Sequence, residues 1–192
     1  MPTYCDYVRN LPPDNVHRRY HDQDYGFPIH DDAGLFERLI LEINQAGLSW
    51  ETILKKADNF RRAYSGFDIA TVAAYSEPER ARLLADAGII RNRLKVNAAI
   101  ENARRIQALQ AEAGSFQAWL DARHAELGND RAAWTKLFKK TFVFTGGEIV
   151  NEFLVSAGYL PGAHAEDCPC FAAAAKRKPA WMRAPRPAHP AP

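Results

Sequence analysis

From Asp31 onward, apolar residues recur at intervals of three and four along nearly the whole chain. No long stretch alternates apolar with polar residues as a half-buried strand would, so the pattern predicts an all-α fold. The first long helix is expected from Leu35 to about Gly47, with Leu35, Phe36, Leu39, Ile40, Ile43 and Ala46 on one side. Asp68 is placed to cap a short helix through Tyr75. Ser76-Glu77-Pro78-Glu79 reads as a capping box with proline in the first turn, opening a helix to about Ala87 that stops at Gly88. Another helix begins near Asn92 and carries Leu94, Val96, Ala99, Ile100, Ala103 and Ile106 at packing distance. Ser115 caps the segment with Phe116, Trp119 and Leu120. Gly128-Asn129-Asp130 breaks the chain before Trp134, Leu137 and Phe138. A tight turn at Gly146-Gly147 then leads into a helix with Ile149, Val150, Phe153, Leu154 and Ala157, ended by Gly158. No repeat of fixed period appears, which excludes a solenoid.

One residue breaks the pattern of the first helix. At about 100° per residue, Glu42 projects close to Leu35 and Ala46, beside the apolar stripe and away from the polar face holding Glu37 and Asn44. Two readings are open. Arg38, four residues earlier, can pair with Glu42 at the margin of the stripe. Alternatively, Glu42 faces a pocket walled by Tyr20, Tyr25 and Trp50, and a negative charge among ring faces suits a flat cationic ligand.

Composition narrows the class. The 192 residues are 47% hydrophobic and 25% charged, ordinary values for one globular domain, here 1–175. Residues 176–192, "KRKPAWMRAPRPAHPAP", carry five of the 25 Lys and Arg and none of the 23 Asp and Glu. Their proline content predicts a disordered basic tail, and the rest of the chain is slightly acidic, so it is not a strongly basic nucleic-acid binder by composition. There is no apolar run long enough for a membrane span, and "MPTYCDYVRNLPPD" does not read as a signal peptide. The expectation is a soluble, cytoplasmic protein.

Three cysteines, Cys5, Cys168 and Cys170, favour metal ligation or plain thiols over a disulfide framework. Cys5 and His21, with His164 and Cys168 in H-x3-C spacing, make a closed tetrahedral zinc set that leaves no place for water and so points to a structural metal. Such an ion would staple a long N-terminal loop to the C-terminal segment. The alternative is a set of unrelated histidines and free thiols. In "FVFTGGEIV", Thr145, Gly146 and Gly147 can present backbone N–H groups to a DNA phosphate at a helix start, or serve only as a turn. Arg91, Arg93 and Lys95 cluster at another helix start and read as a solvated face.

The segments "YHDQDYGFP", "LILEINQAGLSWETILKK" and "DAGIIRNRLKVNAAIENAR", with the terminal H-x3-C, resemble the 3-methyladenine DNA glycosylase I family of the helix-hairpin-helix superfamily. The match runs in order to about Phe171. The resemblance implies an all-α fold with a helix-hairpin-helix DNA-binding element and Zn2+ held by Cys5, His21, His164 and Cys168. It makes Glu42 the pocket glutamate, with Tyr20 and Trp50 as aromatic neighbours and Tyr25 and His17 at further base-binding positions. The implied activity is monofunctional hydrolysis of the N-glycosidic bond of 3-methyladenine or a related N3-alkylated purine. The implied partner is double-stranded DNA, approached by a monomer in the cytoplasm and nucleoid with no membrane involved. Two other readings keep part of this: a same-fold glycosylase for a different alkyl lesion, or a noncatalytic protein that binds damaged DNA or a free base. The chain also departs from the family. Tyr7 and Tyr25 replace tryptophan or other aromatics, and His17 stands where tyrosine is frequent. Glu148 enters the hairpin helix where it can repel a phosphate, and Asn151 and Glu152 replace residues that approach the pocket.

Overall fold

Helix starts are written plainly in this chain, and the computed structural model, which describes residues 3–183, realises them one after another. The helices are α1 (Tyr4–Arg9), α2 (Val16–Gln23), α3 (Asp32–Gln45), α4 (Trp50–Ala63), α5 (Ile69–Ala73) and α6 (Glu77–Ala85). They continue with α7 (Arg93–Ala113), α8 (Phe116–Leu127), α9 (Arg131–Thr141), α10 (Gly147–Ser156) and α11 (Pro169–Lys176). Short 3-10 turns occupy Ser65–Phe67 and Ala180–Met182, and no strand occurs among the described residues. Asp68 accepts from the Thr71 amide at 2.8 Å, Asn92 from Lys95 at 3.1 Å, Ser115 from Ala118 at 2.9 Å and Asp130 from Ala132 and Ala133 at 3.0 Å. The Ser76–Glu79 capping box is also formed. Each such cap satisfies an amide that the first helical turn leaves unpaired, worth about 1 kcal/mol.

Helix α3 runs through the centre. Its Leu35, Phe36, Leu39, Ile40 and Ile43 are fully buried, and it packs against α4, α7, α8 and α10. An aromatic stack of Phe116, Trp119, Phe138, Phe142 and Phe153 fills the space between α8, α9 and α10, with ring centroids 5.1 to 6.4 Å apart. Burying each such ring contributes about 1.5–3 kcal/mol.

Several expectations need correction. The expected N-terminal loop is two helices, α1 with a Thr3–Asp6 capping box and α2 capped by Asn15. Their six and eight residues are too short to show a helical period. Asn44, expected on a polar face, is buried, with its amide donating to Ile40 O at 2.8 Å. Lys95 is not part of a solvated face. It is buried, and its ammonium donates at 2.7 Å to the carbonyls of Asn44 and Ala46, closing the C-terminal end of α3. A cation there meets the negative end of the helix dipole. Residues 177–183, expected as part of the tail, lie against the rest of the chain. Ala180 is buried, Trp181 lies against Phe171 with centroids 6.2 Å apart, and Arg183 pairs with Asp121 at 3.2 Å. The remainder of the expected tail, 184–192, lies outside the described residues. Among the described residues, no helix is long and apolar enough to cross a membrane.

Candidate functional site

The end of α3, the start of α4, the N-terminal helices and α10 enclose a cavity of about 470 Å³. Ring walls come from Tyr4 on α1, His17 and Tyr20 on α2, Tyr25 in the following turn, and Trp50 at the first position of α4. Tyr20 meets Trp50 edge-on at 5.2 Å between centroids, Tyr25 lies 5.6 Å from Tyr20, and Tyr4 is edge-on to Tyr25 at 5.4 Å. The Tyr4 hydroxyl and His17 Nδ1 are hydrogen-bonded at 2.9 Å. Burial pushes the phenols of Tyr4, Tyr20 and Tyr25 well above their usual range and lowers the His17 imidazole, so these walls stay neutral.

Glu42 is set into this wall, 5% exposed. Removal from water pushes its carboxyl up to about 8. The Arg38 guanidinium and the Ser156 hydroxyl oppose the rise, and Glu152 adds to it. Arg38 does not serve as the marginal partner of Glu42 that the sequence allowed. Its Nη1 donates to the Tyr20 hydroxyl at 3.3 Å and to Ser156 O at 3.2 Å, with the guanidinium 5.1 Å from the Tyr20 ring centroid. Arg38 thus fixes a cavity wall and acts on Glu42 through space.

Glu42, Tyr20, Trp50, Tyr25 and His17, all singled out from sequence, therefore meet in one cavity. Sequence reasoning missed Tyr4, Gln45 and Ile149 as wall residues. Tyr4 was hidden in a helix too short to recognise. Glu148 and Glu152, noted as departures, stand at the rim on α10.

The connection from α9 to α10 is gripped by Asn102 of α7, fully buried, whose side chain accepts from Val143 N at 2.9 Å and donates to Val143 O at 3.0 Å. Within this connection the three predicted DNA contacts separate. Gly146 and Gly147 are exposed at the start of α10. Thr145 is buried and its hydroxyl donates to Phe138 O at 3.1 Å, so that side chain is committed to the turn.

Cys5, His21, His164 and Cys168 converge, their donor atoms all within 4.8 Å of one another. His21 Nε2 lies 3.2 Å from His164 Nδ1, 3.3 Å from Cys5 Sγ and 3.8 Å from Cys168 Sγ, and Cys5 Sγ lies 3.9 Å from His164 Nδ1. Zinc bonds of about 2.0–2.3 Å in a tetrahedron require edges of about 3.3–3.8 Å, so the donor set fits such an ion. The outer ring nitrogens are also engaged: His21 Nδ1 with Asp22 Oδ1 and His164 Nε2 with Tyr25 O, each at 2.7 Å. Partners of this kind orient metal-binding imidazoles. Cys170 lies on the far side of the His21 ring, 3.8 Å from Nδ1 and 3.5 Å from Asp22 Oδ1.

Cluster and cavity share chain. Tyr4 adjoins Cys5, Tyr20 adjoins His21, and Tyr25 offers its carbonyl to His164 and its ring to the cavity. Gly26, with φ +76°, makes the turn between them, and its amide donates to Ser156 O at 2.9 Å. A side chain there would run into Ala163 and lie in contact with the His164 ring.

Comparison with known proteins agrees in sequence and shape. Residues 10–171 match the family model of methyladenine glycosylases. DNA-3-methyladenine glycosylase 1 of Escherichia coli is 36% identical over 183 residues, covering 87% of this chain and 96% of that protein. DNA-3-methyladenine glycosylase of Haemophilus influenzae is 33% identical over 186 residues, covering 88% and 98%. A solved structure of 3-methyladenine DNA glycosylase I from Staphylococcus aureus, which concerns 3-methyladenine recognition, superposes with a TM-score of 0.74 at 31% identity. It covers 83% of this chain and 93% of that one.

Proposed function

The chain belongs to the methyladenine glycosylase family, and on that premise we propose that it hydrolyses the N-glycosidic bond of 3-methyladenine in duplex DNA. The observation that carries this reading is Glu42, a buried carboxyl with a raised pKa lining a cavity walled by aromatic rings. Methylation at N3 gives adenine a positive charge and weakens its bond to deoxyribose, so the base leaves with little acid assistance. The protein must take the base out of the stack, at a cost of a few kcal/mol, and favour its charge. Tyr20 and Trp50 stack on the extruded ring, Tyr25 and His17 bound it, and Glu42 accepts hydrogen bonds from its edge. A cation beside Glu42 favours the ionised carboxylate. Neutral adenine gains less.

Water adds its oxygen to the sugar C1′ as the C1′–N9 bond breaks. The bonding pair leaves with the base and cancels its charge, and the proton of the added water is released. The products are free 3-methyladenine and an abasic site. No lysine is assigned to a Schiff base and no strand is cut. The N–H groups of Gly146 and Gly147 at the start of α10 are the phosphate contacts in this reading, and the chain acts as a monomer in the cytoplasm. Cys5, His21, His164 and Cys168 hold Zn2+, which there supplies a cross-link between the N-terminal helices and the C-terminal segment. Incubation with methylated duplex DNA tests the activity: wild type should release 3-methyladenine, and binding without release would reassign the chain to damage recognition alone.

A further inference from the structure

Across the cavity from the α3 carboxylate stands one that the mechanism above does not use. Glu152, on α10, lines the same cavity and is exposed at its rim. Both its oxygens are held: the Tyr25 hydroxyl donates to Oε2 at 3.4 Å and the Asn151 amide to Oε1 at 3.1 Å. Among the described residues no lysine or arginine lines the cavity, and Arg38 is turned to Tyr20 and Ser156, acting on Glu42 from behind the wall. A ligand between the rings thus meets carboxylates from two helices. We propose that Glu152 is a second charge-selecting residue of the base pocket, which with Glu42 restricts the site to purines carrying a full positive charge. This rests on the glycosylase reading.

The field of Glu152 reaches the groups that matter, since its charge raises the carboxyl of Glu42 and the phenol of Tyr25. The other ionisable groups around the cavity are Tyr4 on α1, His17 and Tyr20 on α2, Tyr25, Arg38 on α3 and Glu148 on α10, while α4 contributes Trp50 to the wall and sets Glu51 and Lys55 near His17. The neutral phenols and imidazole cannot offset a pair of carboxylates. An arriving cation can, because it favours ionisation of Glu42.

The test is Glu152→Gln, which keeps the shape of a rim residue, with the remote exposed Glu112→Gln as a matched charge control. Single-turnover excision of 3-methyladenine from methylated duplex DNA should fall about three- to tenfold at pH 8, equivalent to roughly 0.6–1.4 kcal/mol. The deficit should shrink toward pH 6, because removing Glu152 eases ionisation of Glu42. Affinity for undamaged duplex should hold or tighten in the same variant, since a negative charge near the phosphates has gone. Glu112→Gln should match wild type throughout. A loss in Glu152→Gln below about twofold, a loss independent of pH, or an equal loss in Glu112→Gln overturns the assignment while wild-type excision stands. Absence of excision by wild type overturns the proposed function itself, and this inference with it.

Discussion

The cavity and the cysteine–histidine cluster adjoin each other, and both bury polar groups, but they treat them in opposite ways. In the cluster each imidazole uses one nitrogen toward the other donors and the second toward Asp22 or Tyr25. In the cavity Glu42 is taken out of water and left with partial compensation from Arg38 and Ser156, so its carboxyl rises to about 8. The difference teaches where each region spends its stability. The cluster pairs its polar groups within the fold, whereas the cavity holds an electrostatic deficit that a proton on Glu42 or a bound cation relieves, and such deficits are characteristic of functional sites.

Removing the proposed metal staple should have the largest effect. Cys168→Ala, or chelation of the wild type, should cost about 3–5 kcal/mol and lower the melting temperature by roughly 10 °C in calorimetry. Cys170→Ala should stay near wild type. Equal melting of the two variants would erase the distinction between donor and bystander thiol. Next, Glu42→Gln should reduce excision of 3-methyladenine by about a hundredfold or more, near 2.7 kcal/mol, while keeping the fold by circular dichroism. Wild-type rates in that variant would show the cavity's deficit to be idle. Lys95→Met, which uncaps α3 below the pocket, should cost about 2 kcal/mol in denaturant unfolding, with a smaller loss of excision.

A pH-dependent effect sharpens the contrast most. Folding raises the Glu42 carboxyl from 4.5 to about 8, so the folded chain takes up a proton in that window and stability declines as pH rises through it. Glu42→Gln should therefore gain stability over wild type as pH rises through that window, with the gain vanishing toward its lower end. A gain independent of pH would mean that repacking, not charge, accounts for it.

What the sequence revealed follows from the range of the forces involved. Caps at Asp68, Ser76, Asn92, Ser115 and Asp130 act within one turn, so residue type and spacing expose them. Glu42 stood out because a carboxylate beside an apolar stripe contradicts its surroundings. Residue type and H-x3-C spacing suggested Cys5, His21, His164 and Cys168 as one set, and resemblance supported it, but no local pattern encodes their meeting. The residues that were misread or passed over act across elements. Lys95 reaches from α7 to the end of α3, Arg38 from α3 to α2 and α10, and Asn102 from α7 to Val143. A long cationic or amide side chain looks solvated until the carbonyl it serves is placed beside it. Tyr4 was lost for another reason: six residues are too few for a period to register.

Because residues 4, 20 and 25 belong at once to the ring wall and to the backbone around the cysteine–histidine cluster, an exchange there disturbs two structures together. Evolutionary divergence in lesion choice is thereby channelled toward α10, whose rim residues lie on a different helix from all four donors. Variation between related repair enzymes should collect on that movable side of the pocket, and attempts to redirect the enzyme to new alkylated bases are best begun there.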